Sequence, residues 1–182
     1  TFETALEIAK NTHGTTHLSY NELLFLLAEC DRLKGNLATA KEKYSQVLAS
    51  NNTSFGPKST LSIRSKRGMA FVQAQNARYD EAEKSLNECL SLCEKDETMN
   101  QWSERMILKG QLLSEMGYIL YLENKPKEAL FHFNKTITNL RFWAGKDSPD
   151  ICGPLLGTAR AAFDYKNYDQ SRKALLEAVS IR

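Results

Sequence analysis

Apolar positions recur along this chain with a helical period, and one larger arrangement of them recurs four times. The segments LLFLLAECDRLKGNLATAKEKYSQVLA (23–49), SKRGMAFVQAQNARYDEAEKSLNECL (65–90), LLSEMGYILYLENKPKEALFHFNKTI (112–137) and PLLGTARAAFDYKNYDQSRKALLEAV (154–179) share one form. Each reads as an apolar helix, a short break, and a second helix with a small residue in its first turns. Those small residues are Ala40, Ala82, Ala129 and Ser171, spaced by 42, 47 and 42 residues. Four positions after each comes Tyr44, Leu86, Phe133 or Leu175, and three further on Val47, Cys89, Thr136 or Ala178. Twelve positions before each stands Ala28, Ala70, Gly117 or Ala159. Two antiparallel helices approach closely only where the facing residues are small, while bulky neighbours fill the flanks. Gly117, in Met116-Gly117-Tyr118, is therefore expected at a close helix–helix contact. The pattern predicts an all-α solenoid of antiparallel helix pairs.

Local punctuation agrees. Gly35 closes a helix, and Asn124-Lys125-Pro126 sets a proline at a helix start, where its missing N–H is harmless. Asp80 and Asp169 put negative charge near helix N-termini, which the helix dipole favours. Ser54–Pro57 and Asp147–Pro149 are loop signals between copies. The longer spacing falls in Lys95–Trp102, where an extended loop or a longer helix is expected. The chain then divides into a second helix plus linker (1–16) and four repeats, at 17–52, 58–95, 101–143 and 148–182. Thr1–Lys10 reads as the second helix of a preceding copy, so further repeats are expected to flank these residues.

Composition strengthens the helical reading: 24 Leu and 17 Ala stand against 3 Val and 7 Ile, and Gly and Pro together number 13. The 24 basic and 22 acidic residues leave a net charge of +2. That balance, with no base-reading pair recurring at fixed repeat positions, argues against nucleic-acid binding. No apolar run approaches the roughly 20 residues of a membrane span. Cys30, Cys89, Cys93 and Cys152 have no disulfide-framework spacing and read as reduced thiols, which points to an intracellular and most simply cytoplasmic protein. His13 and His17 flank Gly14 in a linker, and Cys89 and Cys93 share a helix face without the further ligands that zinc requires. No phosphate-binding loop, zinc-protease motif or nucleophile elbow occurs, so neither cofactor nor enzymatic activity is expected.

The pattern resembles the tetratricopeptide repeat. Leu24, Leu27, Ala28, Gly35, Leu37, Ala40 and Tyr44 carry the resemblance in the first copy, and Leu113, Met116, Gly117, Leu120, Ala129 and Phe133 in the third. The signature tryptophan is absent from every copy, and Ser171 replaces alanine in the fourth. The spacing of 42, with the linkers around Thr12–Ser19 and Ala144–Ile151, is similar to the longer repeats of kinesin light chains. That resemblance implies a right-handed superhelix whose first helices line a concave groove. Its inward positions would be Glu22, Phe25, Glu29 and Arg32; Arg64, Arg67, Phe71 and Gln75; Gln111, Ser114, Tyr118 and Tyr121; and Leu156, Arg160, Phe163 and Asp164. Aromatics supply contact area at low entropy cost, and arginines supply planar donors for carboxylates. For Phe25, Phe71 and Phe163, packing against neighbouring helices is the alternative. Chaperone-binding members clamp a C-terminal carboxylate with lysine and asparagine, whereas Phe25, Glu29, Phe71 and Tyr118 occupy corresponding positions here. The implied function is a protein–protein interaction module holding a partner segment with acidic and aromatic character. The alternative is a structural spacer in a larger multi-repeat protein.

Overall fold

In the computed structural model, residues 2–94 and 102–181 are described. The described residues form nine α-helices and no strand. They are α1 (Phe2–His13), α2 (Leu18–Leu33), α3 (Leu37–Ser54), α4 (Thr60–Gln75), α5 (Tyr79–Glu94), α6 (Trp102–Leu122), α7 (Pro126–Trp143), α8 (Cys152–Asp164) and α9 (Tyr168–Ser180). A short 3-10 turn, Pro149–Ile151, leads into α8. The loop or extension expected over Lys95–Trp102 lies outside the described residues apart from Trp102, which opens α6. Two compact units divide within α5: Thr1–Ser85 and Leu86–Arg182.

Each unit packs helices in sequence. In the first, α1 lies on α2, α2 on α3 and α3 on α4, with α2 also touching α4. In the second, α6 lies on α7, α7 on α8 and α8 on α9, with α6 also touching α8. First helices of successive pairs therefore meet one another as well as their own partners, which is the packing of a helical repeat array.

The breaks within the four pairs are the same turn. Five residues before each anchoring small residue, Gly35, Ala77, Asn124 and Lys166 adopt positive φ, at 82°, 57°, 61° and 62°. The next residue's N–H reaches back to close the helix in every copy: Asn36 to Asp31 O at 2.9 Å, Arg78 to Gln73 O at 3.0 Å, Lys125 to Leu120 O at 2.9 Å and Asn167 to Ala162 O at 2.8 Å. This is a left-handed cap that satisfies the last carbonyls of the first helix. Glycine marks it in one copy of four.

Burial follows the repeat register. Ala28, Ala40, Tyr44, Val47, Ala70, Ala82, Leu86, Cys89, Ala129 and Thr136 have no exposed surface. Tyr44 on α3 packs with Phe25 and Ala28 of α2, and meets Gly68 of α4. Phe133 of α7 has the same arrangement: a Cβ on Gly117 of α6 would lie 2.9 Å from its ring, and one on Gly157 of α8 would lie 2.5 Å from it. Gly68 and Gly157 each stand 28 residues after their anchors, Ala40 and Ala129. One aromatic of the second helix thus sits between a small residue of its own first helix and a glycine of the next.

Candidate functional site

In the first unit, helical spacing puts Phe25, Glu29 and Arg32 on one face of α2, and Arg64, Arg67 and Phe71 on one face of α4. The two faces meet through exchanged side chains. The Arg64 guanidinium carbon lies 4.7 Å over the Phe25 ring, and that of Arg32 lies 4.6 Å over the Phe71 ring. Each helix lends an arginine to the other's aromatic, and both pairs have the same residue offset, so α2 and α4 run side by side in one direction. Such cation–π contacts contribute on the order of 0.5–1 kcal/mol at exposed sites and more when desolvated.

Glu29 lies beneath this surface. Arg32 donates to its Oε2 from Nε at 3.3 Å and from Nη2 at 2.8 Å, and the Tyr44 hydroxyl donates to its Oε1. Burial pushes the Glu29 carboxyl up, but the hydrogen bonds from Arg32 and Tyr44 and the charges of Arg32 and Arg67 outweigh burial, and its pKa falls below the ordinary value of 4.5. A carboxyl whose folded pKa is depressed stabilises the fold above its unfolded pKa, and that contribution is lost as pH falls through the folded value. Stability of the wild type should therefore fall as pH drops below about 4.5, more steeply than in Glu29→Gln; urea unfolding at pH 7, 5, 4 and 3 measures it. Parallel slopes for the two chains would show that Glu29 is not held in this way.

One assignment from the sequence is corrected. Phe25 is 2% exposed and belongs to the core with Leu24, Ala28 and Tyr44; it offers its face to Arg64 and no surface to a partner. Helical spacing alone does not separate the two roles, because Arg64 comes from another helix. Glu29 and Arg32 are half-buried and paired with each other, Arg64 and Gln75 are exposed, and Arg67 and Phe71 are half-buried.

In the second unit the structure brings together several positions spaced far apart in sequence. Tyr121 of α6 and Leu156, Arg160, Phe163 and Asp164 of α8 line an open cavity of about 510 Å³. Ala159 forms part of its wall, and Ser171 and Leu175 of α9 complete it. The neighbouring Asp164 carboxylate, with some burial, raises the pKa of Tyr121 against the opposing charge of Arg160. Phe163 is 61% exposed and meets Tyr168 edge-on, with ring centroids 5.4 Å apart. Tyr118 is half-buried and lies outside the cavity lining. Leu175 was legible only as the large residue four after Ser171; its counterparts Tyr44, Leu86 and Phe133 are buried, whereas it is 45% exposed.

His13 closes α1 and His17 caps α2, accepting from the Ser19 N–H at Nδ1. Their rings stack with centroids 4.6 Å apart although they lie on different helices. Among the described residues no three His, Cys, Asp or Glu side chains converge as metal ligands, and none of the four cysteines is in a disulfide. No helix of the described residues is long and apolar enough to cross a membrane.

Residues 21–95 match the tetratricopeptide repeat family. No curated protein matches the sequence. Among solved structures, the chain is similar to BtubC (BKLC) from P. vanneervenii, at 16% identity and a TM-score of 0.73, covering all of this chain and 70% of that one. It is similar to the nearly identical TPR-like repeats assigned to a kinesin light chain of Podosopora anserina, at 16% identity and a TM-score of 0.62, over 99% of this chain and 83% of that one. It also resembles a Rap protein complexed with competence and sporulation factor, at 14% identity and a TM-score of 0.82, over 98% of this chain and 46% of that one. Likeness at these identities speaks for the fold, and the spacing of 42 is compatible with the kinesin-light-chain type. Residues 21–95 thus match the tetratricopeptide repeat family, and the described residues have the TPR-like helix-pair fold of the solved structures they resemble.

Proposed function

We propose that this chain is a protein–protein interaction module that holds a partner segment along the inward faces of its first helices. The observation that carries the reading is the cavity of the second unit, whose lining includes Tyr121, Leu156, Arg160, Phe163 and Asp164. A hollow lined by Leu156, Phe163 and Leu175 together with Arg160 takes a large apolar side chain from a segment that also carries an acid. Taken by itself, the first unit carries Arg64 and Arg67 on one face of α4, a charge that complements an acidic partner segment. The Rap protein similar to this chain was solved with competence and sporulation factor, which supports a binding role for folds of this kind. Binding, and not catalysis, is the activity assigned, in an intracellular setting.

The double variant Arg64→Glu, Arg67→Glu should weaken capture of a partner by one to several kcal/mol, since reversing charge-assisted contacts typically costs about that. Affinity should also fall as salt rises. The measurement is a pull-down with wild type and variant in parallel, then titration of the recovered partner against both. A partner bound equally well by the variant would favour the second reading, a structural spacer in a larger protein.

A further inference from the structure

The two arginines that meet aromatic rings in the first unit differ in what their donors do. Arg32 spends Nε and Nη2 on Glu29, and that carboxylate is also bonded by Tyr44, so the group is neutralised within the fold. The Arg64 guanidinium carbon lies over the Phe25 ring, 4.7 Å from its centroid, and the residue is exposed. Among the described residues Arg64 makes no ion pair. Contact with a buried ring restricts the guanidinium, while the exposure of the residue leaves donors to solvent. A fork held in this way loses less freedom on accepting a two-oxygen acid than a mobile side chain does.

We infer that Arg64, preorganised on Phe25, is the residue of the first unit that reads a carboxylate of the partner, and that the Glu29–Arg32 pair is closed to it. The inference rests on the groove reading proposed above and names the group within it that selects the ligand. Glu29, whose carboxylate is taken up by Arg32 and Tyr44, takes no part in that selection. Lysine is a poor substitute at position 64: it keeps the charge, but has no planar face to stack and no two-pronged edge.

The probe is a blocked peptide, Gly-Glu-Glu-Phe-Gly, titrated by fluorescence anisotropy beside its Gly-Gln-Gln-Phe-Gly counterpart. The readout is the ratio of the two dissociation constants, which a general loss of stability would not shift selectively. Wild type should prefer the glutamate peptide about tenfold or more, in keeping with one charge-assisted contact. Arg64→Lys should reduce that preference to about twofold or less, while Arg32→Lys, which keeps the charge opposite Glu29, should leave it within about twofold of wild type. Full discrimination in Arg64→Lys, or its loss in Arg32→Lys, would overturn the assignment to Arg64 and leave the groove standing. Equal affinity of wild type for the two peptides would overturn the acidic-ligand reading of the groove, and this assignment with it.

Discussion

Phe133→Ala is expected to lower the unfolding free energy by about 3–5 kcal/mol, the range of buried phenylalanine truncations. The ring is 2% exposed and fills the space between Gly117 of α6 and Gly157 of α8. Neither glycine has a side chain that could swing into the void, and both sit within regular helices, so collapse would need whole helices to shift. The cavity should therefore remain largely open, which places the loss toward the upper end of the range. Urea unfolding followed by circular dichroism measures it. The complementary double variant Phe133→Ala, Gly117→Leu should recover part of the loss, because the added side chain points into the vacated space. A loss below about 1 kcal/mol in the single variant would mean that Phe133 does not hold the α6–α7–α8 contact.

Gly68→Val addresses the same architecture from the opposite side, by overfilling. A Cβ there would lie 2.7 Å from Cε1 and from the hydroxyl of Tyr44, and nearer still to Cζ. Tyr44 cannot rotate away cheaply: it is fully buried, packed with Phe25 and Val47, and its hydroxyl is held by Glu29. Moving α4 outward would part Arg64 from Phe25 and Arg32 from Phe71. The expected destabilisation is about 3 kcal/mol, at the top of the usual range for overpacking. It should appear as a fall in melting temperature of roughly 6–12 °C. Gly68→Ala should also destabilise, although alanine gains about 1 kcal/mol in helix propensity, because even one methyl group meets the ring. An unchanged midpoint for Gly68→Ala would show that α3 and α4 can separate without cost.

The candidate site was partly legible from the residues alone. Tyr121, Arg160 and Phe163 were placed on inward positions by the resemblance to tetratricopeptide repeats, and the structure gathers them around one cavity. Phe25 was placed with them by the same rule and is buried instead. The rule specifies which face of a helix a residue occupies, whereas exposure depends on what the neighbouring helix lays over that face. The closure of Glu29 was not legible for a related reason. Glu29 and Arg32 are three apart on one helix, a spacing that permits pairing, but the Tyr44 bond that completes the closure comes from a different helix.

What the sequence determined by itself was the set of helices and the register that stacks them. Local spacing carries that information: small residues at Ala40, Ala82 and Ala129, large ones four later, and few breakers within the helices. The tertiary structure alone decided the left-handed turns at Ala77 and Lys166, where no glycine announces them, because the close approach of paired helices requires the same cap in each copy. It also decided the use of Gly68 and Gly157, which receive aromatics from helices whose anchors lie 28 residues earlier. The same holds for the exchange of arginines between α2 and α4. Contacts between residues so far apart in sequence depend on how helix axes cross and on which side chains reach across, and no short-range pattern records that distance.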